Sequence, residues 1–324
     1  MKLKFKVAAQ SVAAFAAAGA LLFTAACGST QNSSTSSSSN NSSTDSSSLD
    51  LDTAAFDKLV AGGEKADDST VAASEWATSV KKAGVFKIGG TKTSNLFSQQ
   101  NEKDGKIRGF DAGIAQLLAQ YILGDPSKVE VVQVDSSTRE KVIQNKQVSA
   151  TIATYSITPE RKKVISFAGP YYTSHQGVLV SSSNSDITGV DSLAGKKVAT
   201  QAGSTGPDVL KKYAPKATVQ EFQTHQEAVD ALKQGRVDAY VTDYTLLLNA
   251  VNQDSKNVKI AGKEFGDADP YGIGLPKDSD GVAFVNAFLK KIEDDGTWKQ
   301  LWQLTIGDRT NNTDVPTPPE ITEK

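Results

Sequence analysis

The sequence predicts an α/β protein whose mostly parallel sheets are covered by helices. Short apolar strands alternate with helical patterns from Val85 onward, and the alternation comes in two successive series. Small, polar and helix-opening residues gather where strands end. The first series reads strand 85–89, helix 111–122, strand 129–134, helix 137–146 and strand 150–154. The second has strands near 178, 197, 218, 239 and 258, with helices over 207–213, 224–234 and 244–253.

The chain of 324 residues begins with Lys2, Lys4 and Lys6, followed by an apolar run from Val7 to Phe23 that Gln10 and Ser11 interrupt. It ends in Thr24-Ala25-Ala26-Cys27-Gly28. A basic head, a short apolar middle and small residues before a cut site make a secretory signal over 1–26. The single cysteine, Cys27, directly follows that site, the arrangement of a bacterial lipobox, in which it becomes a diacylated N-terminus on the extracytoplasmic face of the cell membrane. Thr24 stands where Leu is commonest. A spanning anchor wants about 20 unbroken apolar residues. Residues 27–48 are the cysteine and a Ser/Thr/Asn-rich tether, a composition that buries nothing and reaches roughly 25 Å as a flexible chain.

Formal charge is −2, and loss of the three leading lysines takes it to −5. Neither nucleic acid nor anionic lipid is attracted by such a chain. One cysteine excludes an internal disulfide, and His175 and His225 lie far apart with no partner at metal-ligand spacing, so neither a metal nor another cofactor is expected. His225 is expected to face solvent on a helix. Gly195-Lys196-Lys197 lacks the hydroxyl of a nucleotide phosphate loop, and no Gly-x-Ser-x-Gly elbow accompanies Gly203-Ser204-Thr205-Gly206. Residues 49–84 read as a helical extension that packs on the core near Trp76 and Val80.

In a parallel α/β sheet, ligands bind beyond the carboxyl ends of the strands. Ser156 to Arg161 follow one strand, with Thr158-Pro159 in helix-opening order and Arg161 in the first turn. Hydroxyls, free backbone N–H groups and a guanidinium on one patch suit a carboxylate. The Gly203–Pro207 loop offers a second set of N–H groups, and Asp243 follows the strand 239–242. The plain structural role of Asp243 is an N-cap for the following Leu246-Leu247-Leu248.

The wording Thr154-Tyr155-Ser156-Ile157-Thr158-Pro159-Glu160-Arg161, running on to Phe167-Ala168-Gly169-Pro170-Tyr171, resembles the extracytoplasmic solute-binding proteins that serve polar amino-acid ABC importers. So, in the family's order, do Gly109-Phe110-Asp111, Leu193-Ala194-Gly195-Lys196-Lys197, Gly203-Ser204-Thr205, Gly235-Arg236-Val237-Asp238-Ala239, Pro270-Tyr271-Gly272 and Asp295-Gly296-Thr297-Trp298. The ordered set covers roughly 85–307 and is most similar to actinobacterial glutamate-binding members.

The resemblance implies a two-lobed periplasmic-binding-protein-like fold of type II. Lobe 1 would comprise 85–177 and 265–310, lobe 2 would comprise 178–264, and 311–324 would be a C-terminal tail; two crossing strands would form the hinge. It further implies that Arg161 holds a ligand α-carboxylate with N–H groups at Ser156 and Thr205 in the Ser204-Thr205 loop, while Asp243 takes the α-ammonium with oxygens at Thr154 and Ser156. Gln201 matches a polar contact position, and Lys92 replaces a commonly acidic or polar one, where it would pair with a γ-carboxylate. Glutamate is the expected ligand, then aspartate or glutamine, delivered to a permease and its ATPase. The rival is an enzyme of the same scaffold that dehydrates amino-acid-like acids, which needs a general acid in the cleft. No unassigned Asp or Glu at a strand exit fits that role. A lipoprotein that has lost binding would not be expected to keep both Arg161 and Asp243.

Overall fold

The computed structural model describes residues 50–322. The expected signal, Cys27 and the tether lie outside the described residues. Among the described residues, twelve strands and twelve α-helices follow one another. The strands are β1 (Phe86–Gly90), β2 (Thr93–Ser94), β3 (Ser98–Gln100), β4 (Ile107–Arg108), β5 (Val129–Gln133), β6 (Ala150–Thr151), β7 (Ser166–Ser181), β8 (Lys197–Gln201), β9 (Thr218–Phe222), β10 (Ala239–Asp243), β11 (Val258–Ile260) and β12 (Phe265–Leu275). The helices are α1 (Thr53–Ala61), α2 (Asp68–Ala72), α3 (Glu75–Ala83), α4 (Phe110–Leu123), α5 (Arg139–Gln144), α6 (Pro159–Lys162), α7 (Gly206–Tyr213), α8 (His225–Lys233), α9 (Tyr244–Asp254), α10 (Gly281–Asp294), α11 (Thr297–Trp302) and α12 (Asp308–Thr310).

The α/β class and the two lobes are as expected, but the sheet is continuous rather than two separate ones. Its order is β5-β1-β6-β12-β7-β10-β8-β9, with β11 also on β7. Each end is parallel, β1 with β5 and β6, and β8 with β9 and β10. The middle is antiparallel, because β7 pairs with β12 over its first part and with β10 and β11 over its second. A 16-residue strand is long enough to belong to both lobes, and its ladder with β12 shifts register between Phe265 and Asp269, where the chain crosses.

Separate cores sit on either side of this crossing. Phe86, Ile88, Ile114, Leu118, Ile273, Phe288, Trp298 and Leu301 pack in lobe 1. Lobe 2 has Leu179, Leu232, Tyr240 and Leu247 on one face of its sheet and Val180, Val198, Leu210 and Val241 on the other. The alternation of burial along β10 and β7 onto two clusters follows from the two-residue period of a strand covered on both faces.

The described part of the expected extension, residues 50–84, forms three short helices, each started by a side-chain cap at Asp52, Asp67 or Ser74. Phe56, Val60, Trp76 and Val80 are buried in the lobe 1 core. Trp76 also donates its indole N–H to the Ser149 carbonyl at 2.9 Å, and the Asp280 carboxylate accepts the Glu75 and Trp76 N–H groups. Asp57 is held at 2.7 Å by buried Arg108, which keeps its carboxyl down at about 2. The tail also returns, with Val315 and Ile321 against the same core. Two parts escape the sequence pattern: the small sheet β2-β3-β4, whose strands are two or three residues long, and the shortness of β6, which ends at Thr151 instead of Thr154.

Candidate ligand-binding site

A cavity lies between the lobes, at the carboxyl ends of β1, β5 and β6 on one side and of β8 and β10 on the other. Six of the residues named from sequence line it: Thr154, Ser156, Gln201, Ser204, Thr205 and Asp243. Thr93 lines it as well. Lys92 and Arg161 do not.

Thr154 adopts φ 42°, a left-handed conformation that a β-branched residue seldom takes. Asp111, at the start of α4, accepts the Thr154 N–H at 2.8 Å and the Tyr171 hydroxyl at 2.7 Å. This buried carboxyl lines the cavity and burial pushes it up to about 7, against the opposing pull of the Tyr171 hydrogen bond. Backbone held in a strained state by a buried acid, beside a cavity, marks a functional turn.

Arg161 is capped into α6 by Thr158, whose hydroxyl accepts its N–H at 3.2 Å. The guanidinium is taken up by protein partners beside the cavity: Nη1 donates to Ser156 O at 2.8 Å, Nη2 to Gly203 O at 3.0 Å, and Nε faces Glu140 at 3.3 Å. It shares the Tyr155 ring with a second guanidinium, Arg161 lying 5.2 Å and Arg139 4.1 Å from the ring centre. Arg139 is the cation that lines the cavity. One of its Nη atoms donates to Ala153 O at 3.0 Å, while its buried Nε has no protein partner. Burial, and then the charge of Arg161, lower its pKa to about 10. Sequence reasoning passed over Arg139 because it sits in an ordinary amphipathic pattern with no motif around it. Its place next to the strand exit at 133–135 was the available signal.

Asp243 opens α9 without making a capping bond, contrary to its plain structural role. Its oxygens instead accept Tyr271 Oη at 2.6 Å and Gln176 Nε2 at 3.0 Å. The same Gln176 amide nitrogen lies 3.2 Å from Asp269, a residue of β12 that the sequence did not bring forward. Ser156 of lobe 1 and Thr205 of lobe 2 place their hydroxyls 3.2 and 3.4 Å from Asp269. Burial, and then the Asp243 charge, push Asp269 up to about 7.

Ser204 Oγ donates to Gln201 O and accepts the Gly206 N–H, which shapes the loop before α7. Gly203 in this loop has φ 71°, and a Cβ there would fall 2.8 Å from Ser137 Cα of lobe 1. His225, expected to face solvent, is half-buried. It lines the cavity, its Nδ1 lies 3.2 Å from Tyr240 Oη, and burial lowers it to about 4, which leaves a neutral imidazole. The reason is its position as the first residue of α8, where Thr224 caps the helix and turns the strand exit into the cleft. Phe97 and Tyr155 are core residues. No cluster of metal-ligating side chains occurs among the described residues.

Residues 86–304 match the model of the bacterial extracellular solute-binding proteins, family 3. The chain belongs to this family. The glutamine-binding protein of an ABC transporter from Bacillus subtilis is 39% identical over 220 residues, covering 67% of this chain and 80% of the relative. A glutamate-binding protein of Corynebacterium efficiens is 31% identical over 243 residues, covering 72% of this chain and 82% of that one. Among solved structures, the L-cysteine solute receptor of Neisseria gonorrhoeae superposes with a TM-score of 0.69 at 28% identity, over 74% of this chain and 97% of that one. The names of these relatives are those of amino-acid-binding proteins and receptors.

Proposed function

We propose that this chain is the lipid-anchored substrate-binding subunit of an ABC importer, and that it closes lobes 85–177 with 265–310 and 178–264 around a free polar amino acid for delivery to a permease and its ATPase. One observation carries the reading: Arg139 from lobe 1 and Asp243 from lobe 2 both line a cavity whose remaining walls are mostly hydroxyls and amides, with Asp111 and Asp135 as further carboxyls. A cation and an anion on opposite lobes match an α-carboxylate and an α-ammonium, so the ligand itself completes the charge pairing when the lobes meet.

L-Glutamine fits that cavity better than the glutamate expected from the wording. The charged groups of the lining are Arg139 against Asp111, Asp135 and Asp243, and Lys92 stays outside. A second ligand carboxylate would be buried without a second cation, which is costly. Gln133, Gln201, Gln226 and neutral His225 suit an amide instead. The glutamine-binding relative named above supports the same choice. The test is a thermal-shift panel of amino acids followed by calorimetry. Glutamine at 100 times its Kd should stabilise the protein by about 2.7 kcal/mol, and glutamate should bind more weakly. Stabilisation by glutamate alone would reverse the order, and no response to any amino acid would remove the reading.

A further inference from the structure

Helix α9 of lobe 2 lies against the Asn95-Leu96 turn of lobe 1 through two asparagines one turn apart. Asn249 Oδ1 accepts the Leu96 N–H at 2.8 Å, and Asn252 Oδ1 accepts Asn95 Nδ2 at 2.7 Å. The other end of Asn252 donates to Arg309 O, and Arg309 in turn donates to Asn95. Leu96 is fixed in lobe 1, since its carbonyl accepts the Phe110 N–H at 2.9 Å. A row of hydrogen bonds therefore ties the lobes together from the cavity wall outward.

The inner member differs from the outer one. Asn252 is satisfied at both ends by protein. Asn249 is 1% exposed and lines the cavity, and its Nδ2 is buried without a protein partner. The orientation of the amide is not arbitrary: a backbone N–H can only donate, so the atom facing Leu96 is the oxygen and the opposite end is the NH2 group. The large majority of buried side-chain polar atoms in native proteins have a hydrogen-bond partner, and each exception asks for an explanation. A donor of this kind on a cavity wall, between two lobes that a ligand must join, calls for an acceptor supplied by what the cavity takes up.

We infer that Asn249 couples ligand capture to lobe closure, with its amide oxygen holding Leu96 of lobe 1 and its amide NH2 serving an oxygen of the bound amino acid. This rests on the amino-acid reading above and adds a contact that neither the motif set nor the charge pairing supplies. A bound ligand would orient the Asn249 amide, and the oriented amide would present its oxygen to Leu96. Ligands that leave the NH2 group unpaired would close the lobes less completely.

Asn249→Asp separates the two ends, because the carboxylate keeps an acceptor for Leu96 but loses the donor. Asn252→Ala is the comparison, since it cuts the lobe-to-lobe row outside the cavity. Glutamine affinity is measured by calorimetry for wild type and both variants, with empty-protein melting to verify folding. Asn249→Asp should weaken binding at least about tenfold more than Asn252→Ala. If Asn249→Asp does not melt cooperatively, Asn249→Ala is measured in its place with the same expectation. Equal affinity of the Asn249 variant and Asn252→Ala would reduce Asn249 to a strut between lobes and overturn the inference alone. A wild-type protein that binds no amino acid would overturn the functional reading and this inference with it.

Discussion

Two guanidiniums lie over one tyrosine ring, and only Arg139 of the two lines the cavity. Arg139 lines the cavity with a buried, unpartnered Nε, whereas Arg161 spends its donors on Ser156 O, Gly203 O and Glu140. Arg139→Ala should therefore raise Kd by about 100-fold or more, the cost of a buried carboxylate left without its cation being about 3–5 kcal/mol. Arg161→Ala should cost about tenfold, through the loss of its tie to the Gly203 loop. Calorimetry that ranks the two the other way round would make Arg161 the carboxylate clamp that the family wording implies. Asp269 supplies a pH signature. Its carboxyl, pushed up to about 7 by burial and by Asp243, favours the protonated native form. That contribution is full below the ordinary carboxylate range and is lost as pH rises through about 7. Asp269→Asn should raise the empty protein's stability at pH 8 by about 1–2 kcal/mol, and the gain should shrink towards pH 5. Chemical melts at the two pH values measure it, and a pH-independent difference would show that Asp269 does not titrate in the native state.

At the level of elements, lobe closure depends on how close the loop before α7 can come to the start of α5. Gly203 permits that approach twice over, through φ 71° and through the absence of a Cβ that would sit 2.8 Å from Ser137 Cα. Each problem affects the closed form, and the left-handed conformation alone costs an alanine about 1–2 kcal/mol. Gly203→Ala should weaken glutamine binding by about tenfold or more, and small-angle scattering should show less compaction on adding ligand. A variant that compacts and binds as wild type would mean that the loop is free to move aside. The extension α1–α3 belongs wholly to lobe 1, through Phe56, Val60, Trp76 and the Asp57–Arg108 pair. Whatever precedes residue 50 is thus attached to that lobe, and lobe 2 is left to move over it.

For the whole molecule, two cores joined by β7 and β12 make rotation about the crossing strands the cheapest large motion, because it repacks neither core. No helix among the described residues is long and apolar enough to cross a membrane. Attachment is proposed to come from Cys27. Cys27→Ser should move the protein from the membrane fraction to the medium with glutamine affinity unchanged, since the tether separates the anchor from the cleft. Retention of the variant in the membrane fraction would point to residues 7–23 as the anchor instead.

How much of this was legible in advance depended on whether the information was local. Strand-helix alternation, the helix opening at Thr158 and the strand exits near Gln201 and Asp243 are properties of neighbouring residues, and the sequence determined them. The ordered motifs likewise determined the family. Burial and pairing are set by residues distant along the chain. Only the tertiary structure decided that Asp243 bonds Tyr271 instead of capping α9, that Asp269 meets hydroxyls from both lobes, and that His225 turns into the cleft. The exchange of Arg161 for Arg139 at the cavity wall has the same cause. A guanidinium goes where its acceptors are, and Gly203 O reaches Arg161 only after the chain has crossed to lobe 2 and the lobes have met.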